Sequence, residues 1–265
     1  MTAFRLELRR NRVLAIWLGT ALGGYAAIMG LMYPFLKEND ELVQQYMAAF
    51  PKELMAAFGM TGSLADPGVL FTTYIASWMW PVIAAAAAMM IGTRAVAADL
   101  DRGFLDLPLS TRITRVGYLA SSIAGQVVIM ALLAACAVLG LWITGRLVGA
   151  DFDLARFALG GVLCFAFGCA IAGPTTLLSV VTLSRGMAAG IVGGVLLVMY
   201  AIFVVAQVSK DWAWLAPISA WNHFQTTDVI DKGTFPMGDF ALFVGVAVAG
   251  WLAALWAFRR RDLAA

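Results

Sequence analysis

Charged residues are scarce in this sequence. Asp, Glu, Lys and Arg make up 13% of its 265 residues, whereas 62% are hydrophobic. A soluble domain carries about 25% charged and about 45–50% apolar residues, and the mean hydropathy here is +0.85. This composition excludes an ordinary soluble domain and predicts an integral membrane protein.

Cysteine and histidine are rare as well. Cys136, Cys164 and Cys169 all lie in apolar segments without C-x-x-C spacing, and His223 is the single histidine. The pattern argues against a disulfide framework and against a zinc site. We interpret the cysteines as small packing residues and His223 as a polar residue at the membrane interface.

Motifs for catalysis and energy coupling are missing. None of the four lysines stands in a G-x-x-x-x-G-K-[ST] phosphate loop, and the chain has no G-x-S-x-G. No ionisable residue falls within the core of the predicted spans, as ion-coupled transporters usually require. We therefore expect no enzyme activity, cofactor or metal in this chain.

Long apolar runs occur six times. Each has about 20 residues, which is enough to cross a hydrocarbon core of about 30 Å. The predicted spans are 13–35, 68–92, 118–144, 157–183, 187–208 and 240–258. The predicted fold class is therefore an all-α integral membrane protein with six transmembrane helices, forming one domain over residues 1–265.

The basic residues divide unevenly between the two sides of these spans. If both termini are cytoplasmic, twelve of the 18 Lys and Arg residues lie in the inner segments, and all four lysines lie outside. Cytoplasmic loops carry the excess of Lys and Arg in membrane proteins. The sequence thus predicts that both termini face the cytoplasm.

Two segments outside the spans have amphipathic patterns. Residues 2–12 place Phe4 and Leu8 on one helical face and arginines on the other, which fits either a helix on the inner leaflet or a basic flank that only sets topology. In the first outer segment, apolar residues recur every four positions from Leu42 to Phe58. We expect a broken surface helix there, either capping an outer opening or serving as a structural apron.

Small residues and tryptophans mark two of the spans. Glycines at four-residue spacing open the fifth span and predict a close helix-packing face; they are Gly186, Gly190 and Gly194. Trp78 and Trp80 in the second span lie near the middle of the bilayer, too deep for an interfacial belt. We expect these two side chains to face protein or a pathway.

The longest charged interruption on the predicted inner side is the loop 95–117. Its leucines lie beside acidic residues and outside any span, which fits a docking surface for a water-soluble partner. The alternative is a helix lying flat on the inner leaflet. The residues assigned to this contact are Asp99, Asp101, Arg102, Gly103, Leu105, Asp106, Leu107, Arg112 and Arg115.

This loop, which reads DLDRGFLDLPLSTRITRVGYL, resembles the acidic, glycine- and leucine-containing loop in type-2 permeases of ATP-binding-cassette (ABC) exporters. There it lies between the second and third helices. The similarity extends to the opening LELRRNR, the YPFL after the first span, the outer stretch LAPISAW and the closing FRRRDL. Together and in this order, the motifs span nearly the whole chain.

The resemblance implies a permease subunit of the bacterial plasma membrane. Such a subunit forms a homodimer and pairs with two copies of a separate cytoplasmic ABC ATPase, on which ATP and Mg are bound. The loop 95–117 would be the coupling element seated on that ATPase. Membrane lipid would surround the chain, and no nucleic-acid partner is expected.

The resemblance also implies a transport pathway between the two subunits, with the second and fifth spans as its walls. The expected lining residues are Thr73, Ser77, Trp78, Trp80, Val195 and Met199. This mostly apolar lining fits export of a hydrophobic or amphipathic drug, antibiotic, lipid or peptide. The alternatives are a membrane scaffold that transports nothing and, with less support, an intramembrane enzyme.

Overall fold

The computed structural model describes residues 3–50, 55, 62–63, 65–97, 114–150 and 152–260, which form helices joined by short connections. The helices are α1 (Ala3–Glu38), α2 (Asp40–Met47), α3 (Pro67–Ala95), α4 (Arg115–Leu147), α5 (Leu154–Thr182), α6 (Arg185–Val208), α7 (Ala220–His223), α8 (Thr226–Asp231) and α9 (Met237–Arg260). Six of them, α1, α3, α4, α5, α6 and α9, are long and apolar enough to cross a membrane. This finding confirms the predicted fold class.

Polar residues placed just before the helices explain where several of them start. The carboxylate of Asp66 accepts the backbone N–H of Gly68 at 2.7 Å, and Pro67 takes the first helical position of α3. Thr114 caps α4 in the same way, and Ser184 caps α6. A side-chain oxygen at this position satisfies a backbone N–H that has no partner inside the helix.

The first helix starts well before the apolar run that predicted it. It continues from Ala3 through Pro34 to Glu38 without a break. The segment 3–12 is therefore the first part of α1 and not a separate surface helix. In the segment predicted to lie outside, α2 forms the first part of the predicted broken helix, while its second part lies outside the described residues.

Helix α5 lies at the centre of the bundle and packs against α3, α4, α6 and α9. In the 18-residue apolar window of α5, 56% of the residues are buried inside the protein. The corresponding share for α6, the most peripheral spanning helix, is 11%. Since six spans alternate in direction, the start of α1 and the end of α9 lie on one side of the bundle. We call this the terminal side, and the opposite one the far side.

Two pairs of helices approach so closely that glycine is required. A Cβ on Gly250 of α9 would lie 2.5 Å from the backbone carbon of Gly173 in α5. Between α1 and α4, a Cβ on Gly140 would collide with the backbone oxygen of Gly23. Small residues allow backbones to pack closely where lipid removes the hydrophobic drive for association.

The second spanning helix, α3, contains a π-helical stretch from Phe71 to Met79. The backbone N–H of Trp80 bonds to the carbonyl of Ile75, five residues earlier. Pro81, which lacks an N–H, follows directly in the α-helical part. Widened turns of this kind are rare and often occur at functional sites, and this one lies beside a groove between α3 and α6.

Candidate functional site

The structure describes both ends of the predicted docking loop but not its middle. Asp99, Asp101, Arg102, Gly103, Leu105, Asp106, Leu107 and Arg112 lie outside the described residues. Ala97 is the last described residue before the gap, and Thr114 is the first after it. Arg115 is the first residue of α4, so the neighbourhood of both loop ends is defined.

A buried polar cluster joins three helices on the terminal side. Glu7 is 4% exposed and Asn11 is fully buried. The carboxylate of Glu7 pairs with the Arg10 guanidinium at 2.8 Å and accepts the side-chain amide of Asn11 at 2.7 Å. Arg94 of α3 donates to Asn11 at 3.2 Å. We call these residues, with Tyr118 and Ser122, the Glu7 cluster.

Further hydrogen bonds extend the Glu7 cluster to the start of α4. Arg10 donates to the phenol oxygen of Tyr118 at 3.3 Å and to the backbone carbonyl of Arg94 at 3.5 Å. The hydroxyl of Ser122 donates to Glu7 at 3.5 Å. A buried carboxylate is tolerated only when it is paired and hydrogen-bonded. The partners of Glu7 come from α1 and α4, and Arg94 joins α3 to the cluster through Asn11.

The central helix α5 holds the beginning of the loop from the other side. The hydroxyl of Ser179 donates to the carbonyl of Thr93 at 3.1 Å, and it accepts the backbone N–H of Ala97 at 3.1 Å. Ser179 is fully buried. One side chain of α5 thus binds the backbone on both sides of the last turn of α3.

Sequence reasoning missed the Glu7 cluster because the first span was drawn from residue 13. One signal was present. Glu7 is the only acidic residue among the four arginines of the opening segment, and it lies three residues before Arg10 and four before Asn11. Residues at these spacings share a helix face, so the pattern could have predicted an internal ion pair.

A groove of about 720 Å³ lies between α3 and α6. Its walls are mostly apolar, with Pro81 and Val82 from α3 facing Leu196 and Leu197 from α6. At the far side it is bordered by polar residues of the connection between α6 and α9, including Gln225 and Asp228. The second and fifth predicted spans therefore do flank a common groove.

The predicted lining residues separate into two groups. Ser77 and Trp78 line the groove, and Trp78 is 44% exposed. Thr73 and Trp80 are fully buried within the chain instead. Because Trp78 and Trp80 are two residues apart, their side chains leave α3 in nearly opposite directions, so both cannot face one groove.

The two residues predicted from α6 border a different cavity. Val195 and Met199 line a space of about 290 Å³ with residues of α5 and α9, among them Pro174 and Phe243. The face of α6 toward α3 carries Gly193 and Tyr200 instead. Helix α6 thus lies between the two cavities: Val195 and Met199 border one, Gly193 and Tyr200 border the other, and Leu196 borders both.

The glycines predicted to form a packing face lie at the surface of this chain. Gly186, Gly190 and Gly194 are exposed, and a Cβ added at any of them would meet no atom within 4 Å. The close helix contacts inside the chain use other glycines, as described for α5 and α9. The predicted face of α6 is therefore open toward the outside of the single chain.

A second buried polar contact joins α4, α5 and α9. The side-chain oxygen of Gln126 lies 3.0 Å from the hydroxyl of Thr176 and 3.1 Å from the indole nitrogen of Trp251, which donates to it. Gln126 is fully buried, and its side-chain nitrogen has no hydrogen-bond partner among the described residues. At about 1.5 Å per residue, Gln126 is about 16 Å along α4.

On the far side, His223 links the connection after α6 to the start of α9. Its Nδ1 lies 2.7 Å from the Asp239 carboxylate, and its Nε2 lies 3.0 Å from the Pro217 carbonyl. Burial lowers the pKa of His223, but hydrogen bonds to Asp239 and Pro217 outweigh it, so the pKa is raised above 6.5. Two acceptors facing the ring favour the protonated imidazolium, which donates from both nitrogens.

Compared with known proteins, the chain matches no family model and no curated protein.

Proposed function

We propose that this chain is the permease subunit of an ABC exporter that moves a hydrophobic or amphipathic cargo outward across the bacterial plasma membrane. A separate cytoplasmic ATPase, present in two copies, would bind ATP and Mg and drive transport by hydrolysing ATP. In this proposal the terminal side is cytoplasmic, and two copies of the chain form a dimer.

The observation that carries the proposal is the anchoring of both loop ends. The Glu7 cluster ties the start of α4 to α1 and α3, and Ser179 ties the end of α3 to α5. A displacement of the loop would therefore be passed to four spanning helices and not absorbed by flexible ends. A loop that couples an ATPase to a pathway requires such a connection.

Two further features support the proposal. The groove between α3 and α6 has apolar walls, and Val82 and Leu197 in its middle are exposed at the surface of the single chain, as a pathway for apolar cargo would need. The exposed glycine face of α6 offers a surface on which a second copy could pack closely.

The test uses the loop itself. Purified chain should show no ATPase activity alone and should co-purify with a soluble ATPase whose hydrolysis it stimulates. Leu107→Asp combined with Asp101→Arg should abolish that binding and stimulation while insertion and dimerisation persist, because leucines hold a buried contact and charges set its register.

The matched control is Leu147→Asp, since Leu147 is an exposed leucine at the far end of α4. It should leave ATPase binding intact. If no ATPase co-purifies with the chain under gentle extraction, the exporter proposal is wrong and the chain is instead a membrane scaffold that transports nothing. If binding and stimulated turnover survive both loop changes, the loop is not the coupling element.

A further inference from the structure

We infer that the groove between α3 and α6 binds a lipophilic cation, with the apolar body of the ligand along the helices and its positive charge toward the far side. The inference rests on the proposed exporter, because it names the chemical class of the cargo. It depends on the shape of the groove, the aromatic rings that line it and the charges at its far end.

The shape of the groove fits a small molecule and not a bare ion. Its volume of about 720 Å³ lies within the range of about 300–1,000 Å³ typical of ligand pockets. Along α3 it extends from Ser77 to Met89, which is about 18 Å at about 1.5 Å per residue. Its middle part, with Val82 and Leu197, offers apolar walls to the apolar body of a ligand.

Aromatic rings from three separate segments lie in the half of the groove nearest the far side. Trp78 comes from α3, Tyr200 and Phe203 come from α6, and Trp221 and Phe224 come from the connection to α9. The rings of Tyr200 and Trp221 pack with their centroids 5.4 Å apart. The face of an aromatic ring carries partial negative charge and attracts cations, most strongly in a desolvated site.

The charge at the end of the groove has the matching sign. Among the described residues that line the groove, Asp228 is the only acidic one, and none is Lys, Arg or His. Lys232 pairs with Asp228 at 2.7 Å from the next turn, but both side chains are more than half exposed. An ion pair that water reaches so freely contributes little, so a bound cation can share the carboxylate.

An anion or a neutral lipid tail would gain less from the same walls. An anion would bring its charge toward Asp228 and toward the ring faces, which both repel it. A neutral chain would fill the apolar part of the groove but would leave the rings and the carboxylate without a specific interaction. The arrangement of charge therefore discriminates among ligands of equal size.

The test compares two ions of nearly the same size and shape but opposite charge, tetraphenylphosphonium and tetraphenylborate. The full chain is reconstituted in nanodiscs, where no membrane potential acts, and binding is followed by tryptophan fluorescence and equilibrium dialysis. Empty nanodiscs of the same lipid give the non-specific partition of each ion. The phosphonium should bind saturably above that background, and the borate should not.

Two neighbouring substitutions should shift the phosphonium affinity in opposite directions. Asp228→Asn should weaken it about threefold to fivefold because the groove loses its carboxylate, whereas Lys232→Gln should strengthen it by a similar factor. Trp78→Leu should weaken it about threefold or more by removing a ring face. Melting temperatures and gel-filtration profiles of the variants confirm that each is folded.

Three results would overturn the inference. The first is equal saturable binding of both ions. The second is a phosphonium affinity that neither Asp228→Asn nor Lys232→Gln changes. The third is cross-linking of Val82→Cys to a second copy that phosphonium does not inhibit, which would mean that the partner fills the groove. These measurements need no ATPase. If the chain recruits an ATPase but does not bind phosphonium as expected, only the inferred class of cargo is wrong and the exporter proposal stands.

Discussion

The indole N–H of Trp251 in α9 donates a hydrogen bond of 3.1 Å to the side-chain oxygen of Gln126 in α4. Thr176 of α5 contacts the same oxygen at 3.0 Å. One buried amide therefore joins three spanning helices at a depth where lipid offers the helices no polar partner. The contact sets how these helices are rotated relative to one another.

Gln126→Leu should destabilise the protein by about 1–2 kcal/mol, because the Trp251 N–H loses its acceptor inside the bundle. The measurement is the midpoint of thermal or denaturant unfolding in detergent. Trp251→Phe in the Gln126→Leu background should cost less than it does in the wild type, since its partner is already absent. Strictly additive losses would show that the two side chains do not interact.

Glu7→Ala should lower the free energy of unfolding by about 2–3 kcal/mol, because the half-buried Arg10 loses its carboxylate partner and the buried Asn11 amide loses its acceptor. Arg9→Ala is the matched control on the same helix. Arg9 is exposed, so its removal should change stability by at most about 0.5 kcal/mol. Equal effects of the two substitutions would contradict a structural role for the Glu7 cluster.

Two glycines of α9 should respond to alanine in opposite ways. Gly250→Ala should destabilise by about 1–3 kcal/mol, since its Cβ would overlap the Gly173 backbone of α5. A Cβ at Gly245 meets nothing within 4 Å, so Gly245→Ala should be neutral or stabilise by up to about 1 kcal/mol through helix propensity. The unfolding midpoints of both variants, compared with the wild type, measure these changes in stability. A stabilising effect of Gly250→Ala would contradict the close approach of α5 and α9.

The pair of His223 and Asp239 should make stability depend on pH. Because the folded-state pKa of His223 is raised, its contribution is complete below about pH 6.5 and is lost as the pH rises through the raised value. The melting temperature should therefore fall more steeply above neutral pH in the wild type than in His223→Gln. Parallel pH profiles of the two proteins would mean that the pair contributes nothing.

The orientation of the bundle can be tested by thiol labelling in a cysteine-free background. Asp40→Cys and Asp231→Cys should react with an impermeant reagent added from outside, whereas Thr111→Cys and Ala264→Cys should not. The expectation follows from the excess of arginine on the terminal side. The reverse pattern would place the terminal side outside the cell and end the coupling proposal.

Some details of the fold depend only on local sequence. Asp66 caps α3 and Pro67 takes its first position, and Ser184 caps α6. These features depend on residues that are neighbours in the chain, so their chemistry is visible in one dimension. Trp78 and Trp80 show the limit, because both were assigned to one pathway although residues two positions apart leave a helix in nearly opposite directions.

Hydropathy and charge alone were sufficient for the six spans, since crossing a hydrocarbon layer requires length and apolarity whatever the neighbours are. They could not reveal that Glu7 contacts Ser122, that Ser179 holds Ala97, or that Val195 and Ser77 line separate spaces. Such contacts depend on the depth and rotation of each helix. Those are set by side-chain packing between helices distant in sequence, which periodicity along one helix does not encode.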